Sequence, residues 1–354
     1  MGVNAVPSPL ASDATVEATL DLQAVMIAAP RAERIDVLAG GGATPWAEVL
    51  AAGLDERRLG TLPNVISVSY GLCEPLFQGG GPRLGPAGRR LWDHVSRIAG
   101  AAGISVLVSS GDSGSSACAH NVDKVPADDP DDLIALGAPS VGYPASSPVV
   151  TGVGGTGMAL DKANRIVLQY PWNETDYGAP GTVLQDGEVR FTAGGGTGGT
   201  SRLHAAPGYQ LDAGIRSARR KVPDVAMYAD EAPGVPVYCT AYDAATGAGL
   251  CPANPATGSP FRSVGGTSFA APLLAGGVLI ANQYGQRDPL RPGGAPGLAR
   301  GRRPAGATRP ALTPTRGRRR PPSIRCRGRG PGAAPAATGR WAGTRRPWTA
   351  PGAR

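Results

Sequence analysis

The chain has 354 residues, 41% of them hydrophobic and only 5% aromatic, with 53 glycines and a formal net charge of +8. That length leaves room for one large domain with a full core, and no run of about 18 apolar residues is present to cross a membrane as a helix. The overall charge hides two opposite parts. Residues 287–354 hold 17 arginines, no lysine and one acid, Asp288, which makes +16 and leaves 18 basic and 26 acidic residues, a net of −8, for residues 1–286. An acidic body suits a protein that stays soluble in acid, whereas the arginine, proline, glycine and alanine mixture after it has no apolar period with which to bury a core.

In chain order, Ser12 or Asp13 is placed to cap a helix in which Val16, Leu20, Ala24 and Ile27 recur at helical spacing until Pro30 ends the pattern. Glu17 and Asp21 lie four residues apart and so share one face of that helix. On a solvated face such a pair is ordinary; buried together, two carboxyls share a proton and split their pKa values, which acid–base chemistry requires. Strand-like runs at 34–39, 65–69 and 104–108 alternate with helix-like runs at 44–54, 88–102 and 268–282. The expectation is an α/β fold built on a parallel sheet with crossover helices.

The third of these strands runs into Ser109-Ser-Gly-Asp-Ser-Gly114, with Asp112 at the tip. An Asp-Ser-Gly turn is common, but the carboxyl end of a parallel strand is also where sites gather. Further on, Gly194, Gly195 and Gly196 form either a loop or a stretch of bare backbone against which an extended peptide lies close and pairs its main chain. Cys239 and Cys251 flank a polar, turn-rich loop and suit a disulfide, Cys73 and Cys118 follow strand ends and are a second candidate pair, and Cys326 belongs to the basic tail. Their spacing does not suggest zinc.

The glycine-rich approach Gly265-Gly266-Thr267-Ser268 leads into an apolar helical run that begins Phe269-Ala270-Ala271-Pro272. A serine at a helix start has its hydroxyl presented, beside free N–H groups and the positive end of the dipole. As a nucleophile it needs a base. Of the three histidines, His94 sits on a polar helix face, His120 in a polar loop and His204 between Leu203 and two alanines, none in the setting of a protease histidine. A catalytic Ser268 therefore points to a carboxylate base. A second reading makes Asp112 and Ser268 two members of a subtilisin-like triad, with His120 or His204 as the third.

These residues lie in a series of segments that together resemble the sedolisins, the serine-carboxyl peptidases. In family order they are Glu17-Ala-Thr-Leu-Asp21, Val65-Ile-Ser-Val-Ser-Tyr-Gly71, Ser109-Ser-Gly-Asp-Ser-Gly114, Tyr143-Pro-Ala-Ser-Ser-Pro148, Val153-Gly-Gly-Thr156, Gly194-Gly-Gly196, Pro207-Gly-Tyr-Gln210, Val222-Pro-Asp-Val225 and Gly265-Gly-Thr-Ser268. The resemblance implies a subtilisin-like parallel sheet with helices on both faces and a serine endopeptidase acting in acid on protein or peptide substrates. It implies Ser268 as nucleophile, Glu17 as general base, Asp21 as the group orienting Glu17, and Asp112 as oxyanion donor. It also implies a secreted monomer with neither a membrane nor a specific nucleic acid as partner, although residues 1–11 lack the basic start and apolar core of a signal peptide.

Sedolisins carry calcium beyond the serine helix, on an Asp-Ile-Thr type segment and a later aspartate in a glycine-rich loop. Nothing after Gln286 resembles either, so the resemblance implies calcium and no residue of this chain is assigned to a metal. The expected organisation is a sedolisin-like catalytic domain at 1–286, incomplete at both ends, and a disordered basic tail at 287–354. The tail is read as off-frame translation of GC-rich DNA in preference to an arm that binds polyanions.

Overall fold

The computed structural model describes residues 2–5, 13–40, 45–77, 85–119, 137–174, 182–183, 189–190, 194–231, 233–240 and 259–287. The chain divides into Met1–Gly301 and Arg302–Arg354, and every described residue belongs to the first unit. His120, Cys251, Cys326 and the expected tail from residue 288 onward lie outside the described residues.

Strand β1 (Gly2–Ala5) pairs in parallel with β2 (Arg34–Val37), and helix α1 (Asp13–Ala28) lies between them in the chain. Helices α2 (Trp46–Ala52) and α3 (Glu56–Leu59) precede β3 (Val65–Val68) and the short β4 (Leu72–Cys73), and α4 (Pro86–Ala101) precedes β5 (Ser105–Ser109). Then come β6 (Gly142–Tyr143), β7 (Thr151–Leu160), β8 (Ile166–Pro171) and two-residue strands β9 (Thr182–Val183) and β10 (Val189–Arg190). The series closes with β11 (Gly199–Ala205), a helix Gly208–Asp212, β12 (Arg219–Val222), β13 (Val225–Tyr228), β14 (Val235–Tyr238), β15 (Phe261–Val264) and the long helix Thr267–Arg287. The central sheet runs β13-β7-β5-β3 with all neighbours parallel, and β8 adds antiparallel to β7.

The middle strand shows why helices cover both faces. Val106, Leu107 and Val108 are buried to 4%, 1% and 0% exposure, and successive side chains of a strand point to opposite faces. Val106 and Val108 join Leu50, Trp92, Val95 and Ala99 from α2 and α4, while Leu107 joins Val153 and Ala270, Ala271, Ala275 and Val278 of the long helix. The expected subtilisin-like architecture is therefore present, and the strands and helices expected at 34–39, 44–54, 65–69, 88–102, 104–108 and 268–282 fall on β2, α2, β3, α4, β5 and the long helix.

Helix α1 turns inward on a face shifted from the one its hydrophobic spacing suggests. Leu20, Ala24 and Val25 are buried, but Ile27 is 56% exposed. The cause is close packing against the long helix: a Cβ at Gly276 would stand 2.5 Å from the Cβ of Ala28. Glycine there admits α1 to the long helix, and Leu20 and Ala24 pack on Phe269 and Leu273. The face that carries Glu17 and Asp21 is thereby the packed one. Elsewhere Cys73 and Cys118 form a disulfide that ties β4 to the segment after β5, and Cys239 is also disulfide-bonded.

Candidate active site

Three elements meet at Ser268. Helix α1 brings Glu17 and Asp21, the turn beyond β5 brings Asp112, and the first turn of the long helix carries Ser268 itself. The Ser268 hydroxyl stands near enough to the Glu17 carboxyl to lower its pKa, and it donates to the Ser69 carbonyl at 3.5 Å, the limit of useful reach. Burial pushes the Glu17 carboxyl above its ordinary value, the Ser268 hydroxyl pulls it down, and the charge of Asp112 pushes it up again. Burial likewise raises Asp21, to about 8, against the lowering effect of a bond with Ser69 and with a further push from Glu17. Burial and the neighbouring negative charges together disfavour the charged forms of Glu17 and Asp21.

Asp21, expected to orient Glu17, acts on it through charge, and no hydrogen bond between the two carboxyls is seen among the described residues. Glu17 Oε1 is buried without a hydrogen-bond partner among the described residues, and Asp21 Oδ1 pairs instead with the Ser69 hydroxyl at 2.6 Å. Asp21 and Glu17 are linked through their charges alone. Ser69 has one proton to give; with Asp21 protonated, the Asp21 O–H donates to the Ser69 hydroxyl, whose own proton goes to the main-chain oxygen of Ser268 at 3.0 Å. That oxygen needs an outside donor because Pro272, four residues on, lies inside the helix and has no N–H to give. Ser69 thus joins Asp21 to the backbone of Ser268. Sequence reasoning passed over it, although it lies in the Val65–Gly71 segment and just beyond the carboxyl end of β3.

Asp112 is held by the residue before the serine. The main-chain N–H and the hydroxyl of Thr267 both donate to Asp112 Oδ1, each at 2.7 Å, and the same hydroxyl accepts from the N–H of Gly111 at 3.0 Å. Two glycines here are structural requirements. Gly111 and Gly266 have φ of +108° and +91°, which side chains rarely adopt. A Cβ at Gly266 would also stand 3.0 Å from Asp112 Oδ2.

Gly194, Gly195 and Gly196 bond neighbouring main chain through part of their backbone. Gly195 donates to Asp112 O at 3.0 Å and accepts from Gly114 N at 2.9 Å, Gly196 donates to Trp172 O at 3.1 Å, and Gly194 O accepts from Glu174 N at 2.7 Å. Gly195 splints the Asp112 turn, because bare backbone can approach that closely.

Of the described histidines, His94 is exposed on α4, and His204 is buried against the Tyr143 ring with its Nε2 unbonded; neither bonds Ser268. Among the described residues no group of three or more His, Cys, Asp or Glu side chains could hold a metal ion.

Kumamolisin of Bacillus sp. (strain MN-32) is 30% identical to this chain over 229 residues, 62% of this chain and 31% of that protein. Sedolisin of Pseudomonas sp. (strain 101) is 29% identical over 217 residues, 60% of this chain and 28% of that protein. The chain is similar to the sedolisins over about three fifths of its length. It spans under a third of the length of these two curated relatives, and no protein-family model matches it. The solved structure of Pseudomonas sedolisin, a serine-carboxyl proteinase complexed with two molecules of pseudo-iodotyrostatin, superposes with a TM-score of 0.58 at 21% identity, covering 81% of this chain and 67% of that one. At that identity the likeness is one of fold, the sedolisin arrangement of a parallel sheet between two helical layers.

Proposed function

We propose that the protein is a sedolisin-type serine endopeptidase that hydrolyses peptide bonds in acid, with Ser268 as nucleophile, Glu17 as general base and Asp112 as oxyanion donor. The observation that carries the reading is the placement of the Ser268 hydroxyl, at the start of the long helix, near enough to the buried Glu17 carboxyl to lower its pKa, with no described histidine bonded to Ser268. Glu17 takes the hydroxyl proton as the serine oxygen attacks the peptide carbonyl. Negative charge then develops on that carbonyl oxygen. Two donors stand ready for it: the main-chain N–H of Ser268, which has no partner within the first helical turn, and Asp112 in its protonated form. Glu17 returns the proton to the leaving amine, and water repeats the cycle on the acyl-enzyme to regenerate the serine.

Ordinary carboxylates titrate near ~4 and histidine near ~6.5; burial moves Glu17 upward from the carboxylate value, so its charged, base-competent form grows in as pH rises above ~4. Asp21 stays neutral in that range and supports the nucleophile through Ser69. The subtilisin-like alternative gains no support, because the side chain of Asp112 is turned to Thr267. The Cys73–Cys118 disulfide fits work outside the cell, where such bonds persist; among the described residues no helix is long and apolar enough to cross a membrane. The test is cleavage of an acid-denatured protein measured across about pH 4 to 6. Activity that is lost in Ser268→Ala supports the proposal; activity that survives it refutes the assignment.

A further inference from the structure

We infer that Ser69 is a positioning residue with a switchable proton: it holds the backbone of Ser268 while Asp21 is neutral and releases it when Asp21 ionises. The inference rests on the reading of Ser268 as nucleophile.

Ser69 stands just beyond β3 and meets the first turn of the long helix. Its Oγ lies 2.6 Å from Asp21 Oδ1 and 3.0 Å from the main-chain oxygen of Ser268, and its own carbonyl accepts the Ser268 hydroxyl at 3.5 Å. A serine hydroxyl has one proton and here two oxygens that could take it. A neutral Asp21 is itself the donor, which leaves the Ser69 proton for the Ser268 carbonyl. An ionised Asp21 only accepts, and a hydrogen bond to a charged carboxylate is about twice as strong as one between neutral groups. The Ser69 hydroxyl then turns to Asp21. The main-chain oxygen of Ser268 has no replacement within the helix, because the residue four places on is Pro272, which has no N–H. The turn that carries the nucleophile loses its tether, and the Ser268 hydroxyl with it loses its fixed position.

The surroundings of Asp21 favour its neutral form. Glu17, on the same helix, adds negative charge beside it, and Asp112 acts on Glu17 from the turn beyond β5. Strand β3 has no titratable side chain, β13 and β14 bring only Tyr228 and Tyr238, and the long helix carries no charged residue before Arg287, its last. Burial adds to this and places the ionisation of Asp21 at about 8. The tether is therefore complete in acid and undone as pH climbs through that value.

The experiment measures kcat and KM on a peptide substrate from about pH 4.5 to 8.5. It compares wild type, Ser69→Ala, Asp21→Asn, Pro272→Ala and the pairs Asp21→Asn/Ser69→Ala and Ser69→Ala/Pro272→Ala. Ratios taken between variants at each pH cancel the titration of groups the variants share. A displacement of about 1 Å at the reacting atom costs about 100-fold in rate. Ser69→Ala should therefore lower kcat by about 10- to 100-fold at about pH 4.5 and leave KM within about threefold. The gap to wild type should close to within about threefold above about pH 8. In the Asp21→Asn background, where an amide N–H replaces the acid proton at every pH, the gap should stay open. Pro272→Ala gives the carbonyl a main-chain donor, so Ser69→Ala/Pro272→Ala should keep kcat within about threefold of Pro272→Ala. A gap of constant size across the pH range, which a merely structural Ser69 would give, overturns the inference. So does wild-type kcat in Ser69→Ala, or a loss that Pro272→Ala does not rescue. If Ser69→Ala does not fold, the ratio of kcat in Asp21→Asn to wild type decides: it should rise by about 10- to 100-fold between about pH 5 and 8.5, and a constant ratio overturns the inference. Cleavage that persists in Ser268→Ala removes the functional reading and this inference with it, whereas Ser268-dependent cleavage with a pH-independent gap removes the inference only.

Discussion

Replacing Asp21 by asparagine should flatten the dependence of stability on pH. Burial raises this carboxyl from the ordinary aspartate value of 3.8 to about 8. Between those values the folded chain holds a proton that the unfolded chain has released, so stability falls as pH rises. The contribution is fully present below about pH 4 and is lost progressively as pH climbs through about 8. At 1.36 kcal/mol for each pH step, the whole interval corresponds to up to about 6 kcal/mol. Asparagine keeps the shape and a donor for Ser69 but does not ionise. Urea unfolding at about pH 4.5, 6 and 7.5 measures the effect as the difference between wild type and Asp21→Asn, which cancels contributions from Glu17 and from the acidic surface. Wild type should lose several kcal/mol more than the variant across that range. Parallel stability curves would refute the assignment of a buried, protonated Asp21.

Gly266→Ala should injure stability and turnover together: a Cβ at φ of +91° costs about 1–2 kcal/mol, lowering Tm by about 4 °C, and its contact with Asp112 Oδ2 should cut kcat by about 100-fold or more. Thermal melts and kcat check both, and wild-type turnover in a folded Gly266→Ala protein would contradict the placement of that oxygen. Ser69→Ala leaves the main-chain oxygen of Ser268 without a donor and should destabilise by about 1–3 kcal/mol. Pro272→Ala restores the N–H that the helix lacks, so the double variant should recover part of the loss, and a double-mutant cycle in urea that proves additive would dismiss the link between them.

The sheet was legible because its strands are short apolar runs between helices with clear periods, and parallel strands buried on both faces need little else to be recognised. Leu107 illustrates this: it sits in a continuous apolar run, and the run becomes the central strand. Which face of α1 turns inward was not legible from hydrophobic spacing alone. Ile27 fits the period and yet lies in solvent, because the deciding contact is between Gly276 and Ala28, residues far apart in the chain. The same helix shows what the motif did carry, since Glu17 and Asp21 at i, i+4 share the packed face.

Ser69 was missed for a related reason. Its role depends on a carbonyl that Pro272 leaves without a donor, and only the packing of β3 on the long helix brings a hydroxyl to it. The glycines at 194–196 were read as a surface for substrate because a bare backbone permits close approach. In the structure Gly195 uses that permission on the Asp112 turn, and Gly194 and Gly196 use it on Glu174 and Trp172.

The central claim is that a carboxylate takes the proton of the serine. The most direct measurement is kcat/KM in acid for Glu17→Gln beside a variant with His94, His120 and His204 all replaced by glutamine. Glutamine at position 17 keeps the shape beside Ser268 but cannot accept its proton. The account predicts that Glu17→Gln falls by about 10⁴-fold or more while the histidine-free protein keeps its rate. Activity retained without the Glu17 carboxylate, or abolished by loss of the histidines in a folded protein, would contradict it.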